Sequence, residues 1–155
     1  MIRLDGRNAT IDDVVRVARD GDRVELTSEA IDRMTDARDV VERLAEGVPK
    51  YGISTGFGAL ATVSIPSDRR EALQLALIRS HAAGMGDPVE PEVVRAMVFL
   101  RARTLAMGHS GARPLVARAM VDLVNAGITP IVPEYGSLGA SGDLAPLAHG
   151  ALALL

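Results

Sequence analysis

Cysteine and tryptophan are absent from the 155 residues, and only four aromatic side chains occur, Tyr51, Phe57, Phe99 and Tyr135. Without thiols there is no disulfide, no thiolate metal site and no cysteine nucleophile. The three histidines, His81, His109 and His149, show none of the close spacings that zinc sites use, so no metal is expected. No run reaches the roughly 18 uncharged apolar residues of a membrane span, and Met1-Ile2-Arg3-Leu4-Asp5 lacks the apolar stretch of a secretory signal, which places the expectation in the cytoplasm. The net charge, 17 − 20 = −3, comes without basic clusters or stacking aromatics, which excludes a nucleic-acid surface and leaves a small molecule or a protein as partner.

What is present is aliphatic. Hydrophobic residues make up 48% and charged residues 24%, which rules out a disordered chain and predicts a core packed by aliphatics rather than aromatics. Thr10 followed by Asp13 forms a variant capping box ahead of Val14, Val15, Val17 and Ala18, with Gly21 as the stop. A strand is expected at Val24-Glu25-Leu26. A longer helix then carries Ala30, Ile31, Met34, Val41, Leu44 and Ala45 at near-helical spacing until Gly47 and Pro49. Ser67 and Asp68 start a helix whose Leu73, Leu77 and His81 share one face, with a stop at Ala82 to Gly86. Pro91 and Pro114 suit the first turns of two more helices, closed by Gly108 and Gly127. The last helix begins at Leu144-Ala145-Pro146 behind Asp143, which can cap it. The fold class is therefore mainly α with short β elements near the N-terminus. No repeat or linker divides residues 1–155, which form a single segment. The apolar run His149 to Leu155 carries no cap or polar tail, so the segment is expected to be incomplete at its C-terminus.

Between Lys50 and Pro66 periodicity disappears among three glycines, two threonines and two serines, and a loop is expected. Gly52-Ile53-Ser54-Thr55-Gly56 satisfies the nucleophile-elbow pattern of serine hydrolases, but no apolar strand precedes it and no convincing helix follows. Gly56-Phe57-Gly58-Ala59-Leu60-Ala61 matches a dinucleotide fingerprint, and it too lacks the strand and helix that give the motif meaning, so no nucleotide is expected. A second loop, Gly136 to Gly142, ends at a helix start and could be a simple anion-binding turn. Its Ala140-Ser141-Gly142 triplet also permits a different chemistry. An unhindered glycine nitrogen can attack the alanine carbonyl two residues back, and serine can lose water to leave an exocyclic alkene. The product is an electrophile made from backbone alone, suited to removing ammonia from an amino acid, where loss of a poorly acidic β-proton needs electron withdrawal.

Three segments together resemble the aromatic amino acid lyase family: Tyr51-Gly52-Ile53-Ser54-Thr55-Gly56-Phe57-Gly58; Leu73-Gln74 with Arg79-Ser80-His81-Ala82-Ala83-Gly84; and Gly136-Ser137-Leu138-Gly139-Ala140-Ser141-Gly142-Asp143-Leu144-Ala145-Pro146-Leu147-Ala148-His149. The resemblance implies that Ala140, Ser141 and Gly142 cyclise to 4-methylidene-imidazol-5-one (MIO), and that Tyr51 acts near the substrate in proton transfer or amino-group placement. It implies that Ser80-His81 is the pair that selects L-histidine, with His81 as the substrate-binding residue. The expected reaction is then elimination of ammonia to trans-urocanate, the first step of histidine degradation toward glutamate. Asp143 has two compatible roles, partner in ring formation and N-cap. Phe57 either closes over substrate or packs locally. Arg79, Arg101 and Arg103 are read as helix-surface charges, and His109 and His149 receive no role. The resemblance covers only the N-terminal portion of the family pattern, whose members are homotetramers with composite sites, so the isolated chain is expected to be inactive. Two other readings stay open: a lyase or aminomutase for another aromatic amino acid, and a non-catalytic helical assembly module.

Overall fold

Strand β1 (Ile2–Leu4) pairs in parallel with β2 (Val24–Leu26), Ile2 opposite Val24 and Leu4 opposite Leu26, and helix α1 (Ile11–Ala18) is the crossover such a pair requires. A computed structural model describes residues 1–45, 47–138 and 142–155 of the chain. The start of α1 is the expected capping box: the Asp13 amide donates to Thr10 Oγ1 at 3.2 Å and the Thr10 amide donates to Asp13 Oδ2 at 3.0 Å. At its other end Arg95 Nε donates to the Ala18 carbonyl at 2.7 Å, satisfying an acceptor that the helix leaves free.

Helix α2 (Ser28–Ala45) follows β2, its first turn fixed by Thr27 Oγ1 accepting the Ala30 amide at 3.2 Å. Helix α3 (Arg70–His81) comes after the long loop, and a 3₁₀ turn at Ser67–Arg69 leads into it, so Ser67 and Asp68 form a tighter turn where a helix start was expected. Helices α4 (Pro91–Ala106) and α5 (Pro114–Asn125) each carry proline in the first turn, as expected. They pack on each other and on the small sheet. Ile2, Leu4, Val17, Val24, Ala30, Ala102, Ala106 and Val121 surround Phe99 there. The buried hydrophobic residues are aliphatic, as expected, with one aromatic exception: Phe99 is the largest fully buried side chain. Burying a side chain of that size stabilises a fold by about 1.5–3 kcal/mol. A neighbouring cluster, Met34, Leu105 and Ala117, fastens α2 to the same pair of helices.

Helix α6 (Leu144–Leu152) packs against α3. The chain between these two helices in sequence contributes an unexpected antiparallel pair, β3 (Met85–Pro88) and β4 (Pro133–Tyr135), with Met85 opposite Tyr135 and Pro88 opposite Pro133 across an irregular register. Helix α3 has no fully buried side chain; Leu73, Leu75, Leu77 and Ile78 are half-buried. Among the described residues no helix is long and apolar enough to cross a membrane.

Candidate active site

Small residues bring three segments together at the end of α3. Behind His81 the chain turns through Ala82, whose amide donates to the Ile78 carbonyl at 3.0 Å, and reaches Gly84. A Cβ placed on Gly136 would lie 2.9 Å from the Ala145 Cβ and 3.2 Å from the Gly84 Cα. Backbone therefore meets backbone where the turn after α3, the residue after β4 and the first turn of α6 converge. Any side chain at Gly136 would push them apart.

Ser80 and His81 stand at one side of this junction. The His81 Nδ1 lies 2.9 Å from the Leu77 carbonyl oxygen and 3.1 Å from Ser80 Oγ, and Ser80 Oγ itself donates to the Leu77 carbonyl at 3.0 Å. A carbonyl can only accept, so Nδ1 carries a proton, and in the neutral form of the ring Nε2 presents a lone pair. The local helix thus selects one tautomer of a half-buried imidazole, an acceptor suited to a ligand N–H.

On the other side Gly142 and Asp143 lead into α6. Gly142 has φ +94°, the left-handed conformation that favours glycine, and no atom of the other described residues lies within 4 Å of where a Cβ would stand. Asp143 occupies the N-cap position of α6, yet its side chain makes no cap hydrogen bond; its Oδ1 accepts the hydroxyl of Ser137 instead. The capping expectation is corrected in that respect: position and carboxylate are separate, and the carboxylate belongs to the loop. Ala140 and Ser141 lie outside the described residues.

Tyr51 sits in the loop before α3, 64% exposed, with its ring edge-on to Phe57 at 5.8 Å between centroids. Its hydroxyl oxygen accepts the Gly58 amide at 3.3 Å, which leaves the phenolic proton available to another acceptor. Phe57 packs locally, the second of the two roles expected for it. Ser54 and Thr55 are buried: Ser54 Oγ accepts the Lys50 amide at 3.0 Å, and Thr55 Oγ1 donates to the Gly56 carbonyl at 3.0 Å. The hydroxyl of the elbow-like motif is thus turned into its own loop. The hydrogen bond and ring contact of Tyr51 are local to this loop, whereas His81 and Asp143 stand on helices packed against each other.

One contact at the junction has only a faint signal in the sequence pattern. His149 Nε2 accepts the Gly84 amide at 3.0 Å, across 65 residues of chain. The one hint was its spacing, four residues after Ala145 and thus on the same face of α6. Among the described residues no three histidine, aspartate or glutamate side chains converge to hold a metal ion. An open cavity of about 240 Å³ lies elsewhere, between β2 and α5, lined by Val24, Leu26, Val121 and Asn125 among others.

The pattern of the aromatic amino acid lyase family matches residues 9–155. The histidine ammonia-lyase of Streptomyces avermitilis is 58% identical over 147 residues, covering 94% of this chain and 29% of that protein. Among solved structures, the histidine ammonia-lyase of Trypanosoma cruzi superposes with a TM-score of 0.85 at 40% identity, covering 97% of this chain and 28% of that one. The tyrosine aminomutase of Streptomyces globisporus does so with a TM-score of 0.90 at 39% identity, with the same two coverages. The chain spans less than a third of the length of these relatives.

Proposed function

The chain belongs to the aromatic amino acid lyase family, and on that premise we propose that residues 1–155 are one segment of a histidine ammonia-lyase, which eliminates ammonia from L-histidine to give trans-urocanate and opens histidine degradation toward glutamate. The observation that carries the substrate is the His81 Nδ1 contact with the Leu77 carbonyl at 2.9 Å, which in the neutral ring leaves Nε2 as an acceptor. A substrate imidazole offers an N–H to that acceptor, and phenylalanine offers none. A site built to hydrogen-bond a polar group discriminates strongly against analogues that lack it, because its own buried polar atom is then left unpaired.

The proposed electrophile is MIO, formed within the chain. The Gly142 nitrogen bonds to the Ala140 carbonyl carbon with loss of water, and Ser141 loses its Cβ hydroxyl and Cα hydrogen as a second water. The described part of the segment fits this role: Gly142 holds a left-handed turn, and the Asp143 carboxylate, engaged by Ser137, follows immediately. Once formed, the ring supplies the electron withdrawal that ammonia elimination needs. Tyr51, with its phenolic proton uncommitted, moves a proton or orients the substrate amino group. Asp143 provides a negative charge beside the cyclising segment. No metal and no nucleotide enter this scheme.

The active protein is proposed to be a cytoplasmic homotetramer that binds neither nucleic acid nor membrane. Supporting an assembly, Met85, Tyr135 and Leu138 all stand exposed around the junction, with Leu138 at 93%. A second reading, an aminomutase or lyase for another aromatic amino acid, is favoured by the likeness to tyrosine aminomutase and shares every residue except the role of His81. The discriminating experiment is turnover of L-histidine, L-tyrosine and L-phenylalanine by the full-length protein and its His81→Ala variant. Loss of urocanate formation in the variant, with the two-water mass deficit retained, is the expected result. Unchanged histidine turnover would transfer the assignment to the second reading.

A further inference from the structure

Of the three histidines, His149 alone reaches across the junction. We infer that His149 is a positioning residue, whose imidazole ties α6 to the turn behind Ser80-His81 and so fixes the substrate-reading pair relative to the segment Gly142-Asp143. The inference rests on the lyase reading for its catalytic consequence, but the tether itself is geometric. A backbone amide can only donate, so the 3.0 Å contact from Gly84 requires an unprotonated Nε2 and places the ring proton on Nδ1. The same face of α6 presents Ala145, one turn earlier, to Gly136. A Cβ on Gly84 would stand 3.1 Å from His149 Nε2 and 3.2 Å from the Pro133 Cβ, so the turn is seated directly against the imidazole and against β4.

Packing against α6, Gly136 and Pro133 seats the turn, and the His149 acceptor adds a directed side-chain bond to it. Helix α3 buries no side chain fully, and its C-terminal residues Arg79 and Ser80 are exposed. A segment with few buried contacts opens locally unless specific bonds restrain it. Tying Gly84 to α6 restrains the end of α3 three residues beyond His81, and Asp143 stands at the head of the helix that carries His149. The two sides of the proposed site are thereby one mechanical unit.

The test uses the full-length protein with His149→Phe, which keeps the ring and removes the acceptor, and His149→Gln, whose amide oxygen can accept in its place. Three quantities are read: intact mass, hydrogen exchange of the peptide containing Gly84, and the kcat and KM for L-histidine. For His149→Phe the two-water mass deficit is expected to persist, Gly84 exchange to accelerate about tenfold, and KM to rise about tenfold with kcat within about threefold, since a lost hydrogen bond of this kind is worth roughly one decade. His149→Gln is expected to restore both exchange and KM most of the way. Wild-type exchange and KM in His149→Phe, loss of the mass deficit, or failure of the Gln variant to differ from Phe would each overturn the inference. If the unmutated full-length protein carries the deficit yet leaves L-histidine unchanged, the histidine reading fails, while accelerated Gly84 exchange in His149→Phe still establishes the tether.

Discussion

Asn125, the last residue of α5, pairs with both polar backbone atoms of Val24: its Oδ1 accepts the Val24 amide at 2.8 Å and its Nδ2 donates to the Val24 carbonyl at 2.9 Å. The carboxamide thus takes the place of a neighbouring strand at the open side of β2, using one donor and one acceptor in the spacing a peptide unit would offer. Val24 is only 3% exposed, so water does not readily replace these bonds. Asn125→Ala is expected to lower stability by about 2 kcal/mol, the cost of leaving a nearly buried donor and acceptor unpaired. The check is a urea titration: the midpoint should fall with the slope unchanged, and exchange of the Val24 amide should quicken.

The capping box of α1 predicts a pH dependence of definite sign. The Asp13 carboxyl is held below its ordinary value, first by the Thr10 amide, then by the Thr10 hydroxyl, with Arg16 adding attraction. A carboxyl with a depressed folded pKa contributes stability that is present above its unfolded value and is lost as pH falls through the folded one. Asp13→Asn should therefore be less stable than the unmutated protein near neutrality, and the gap should close in acid below the carboxylate range. Thr10→Ala removes the hydroxyl that accepts the Asp13 amide and should cost about 1 kcal/mol. Thermal melts of the three proteins at the two pH values measure both effects; a gap that widens in acid would refute the assignment of Asp13.

These two contacts also mark where sequence reasoning reaches and where it stops. The box is a local pattern, three residues apart, and it is legible in the sequence, as are the prolines at the heads of α4 and α5. The Asn125 clamp joins residues about a hundred positions apart and leaves no periodic trace. Strands β3 and β4 were hidden for a further reason: Gly86, Pro88 and Pro133 are residues that strands disfavour, and the pairing joins segments far apart in the chain. In the candidate site, the helical address of His81 and the place of Asp143 at the head of α6 could be read from spacing. The Ser137 partner of Asp143 and the Gly84 partner of His149 could not, because loop closure and helix packing create them.

Ring formation should be abolished by one added methyl group. Gly142 stands at φ +94°, where an L side chain is strained, and its nitrogen is the proposed nucleophile. Gly142→Ala both disfavours that backbone conformation and crowds the attacking nitrogen. The intact mass of the variant should equal its sequence value, with no two-water deficit, and Ser141→Ala should behave alike because it lacks the hydroxyl to eliminate. A deficit retained in Gly142→Ala would mean that another triplet is the source of the ring.

The last prediction concerns the 155 residues alone. Tyr51 is mostly exposed, its hydrogen bond and ring contact among the described residues lie within its own loop, and α3 has no fully buried side chain to fix His81. Proton transfer and substrate orientation require groups held in register, where a misplacement of about 1 Å can cost roughly a hundredfold in rate. The isolated chain should therefore produce no urocanate above background from L-histidine, while the full-length protein does. Ultraviolet detection of urocanate, run on both proteins at equal molar concentration, decides the matter. Activity of the short chain approaching that of the long one would show that residues beyond 155 are dispensable to the site, and that Tyr51, His81 and the Ala140-Ser141-Gly142 segment converge without them.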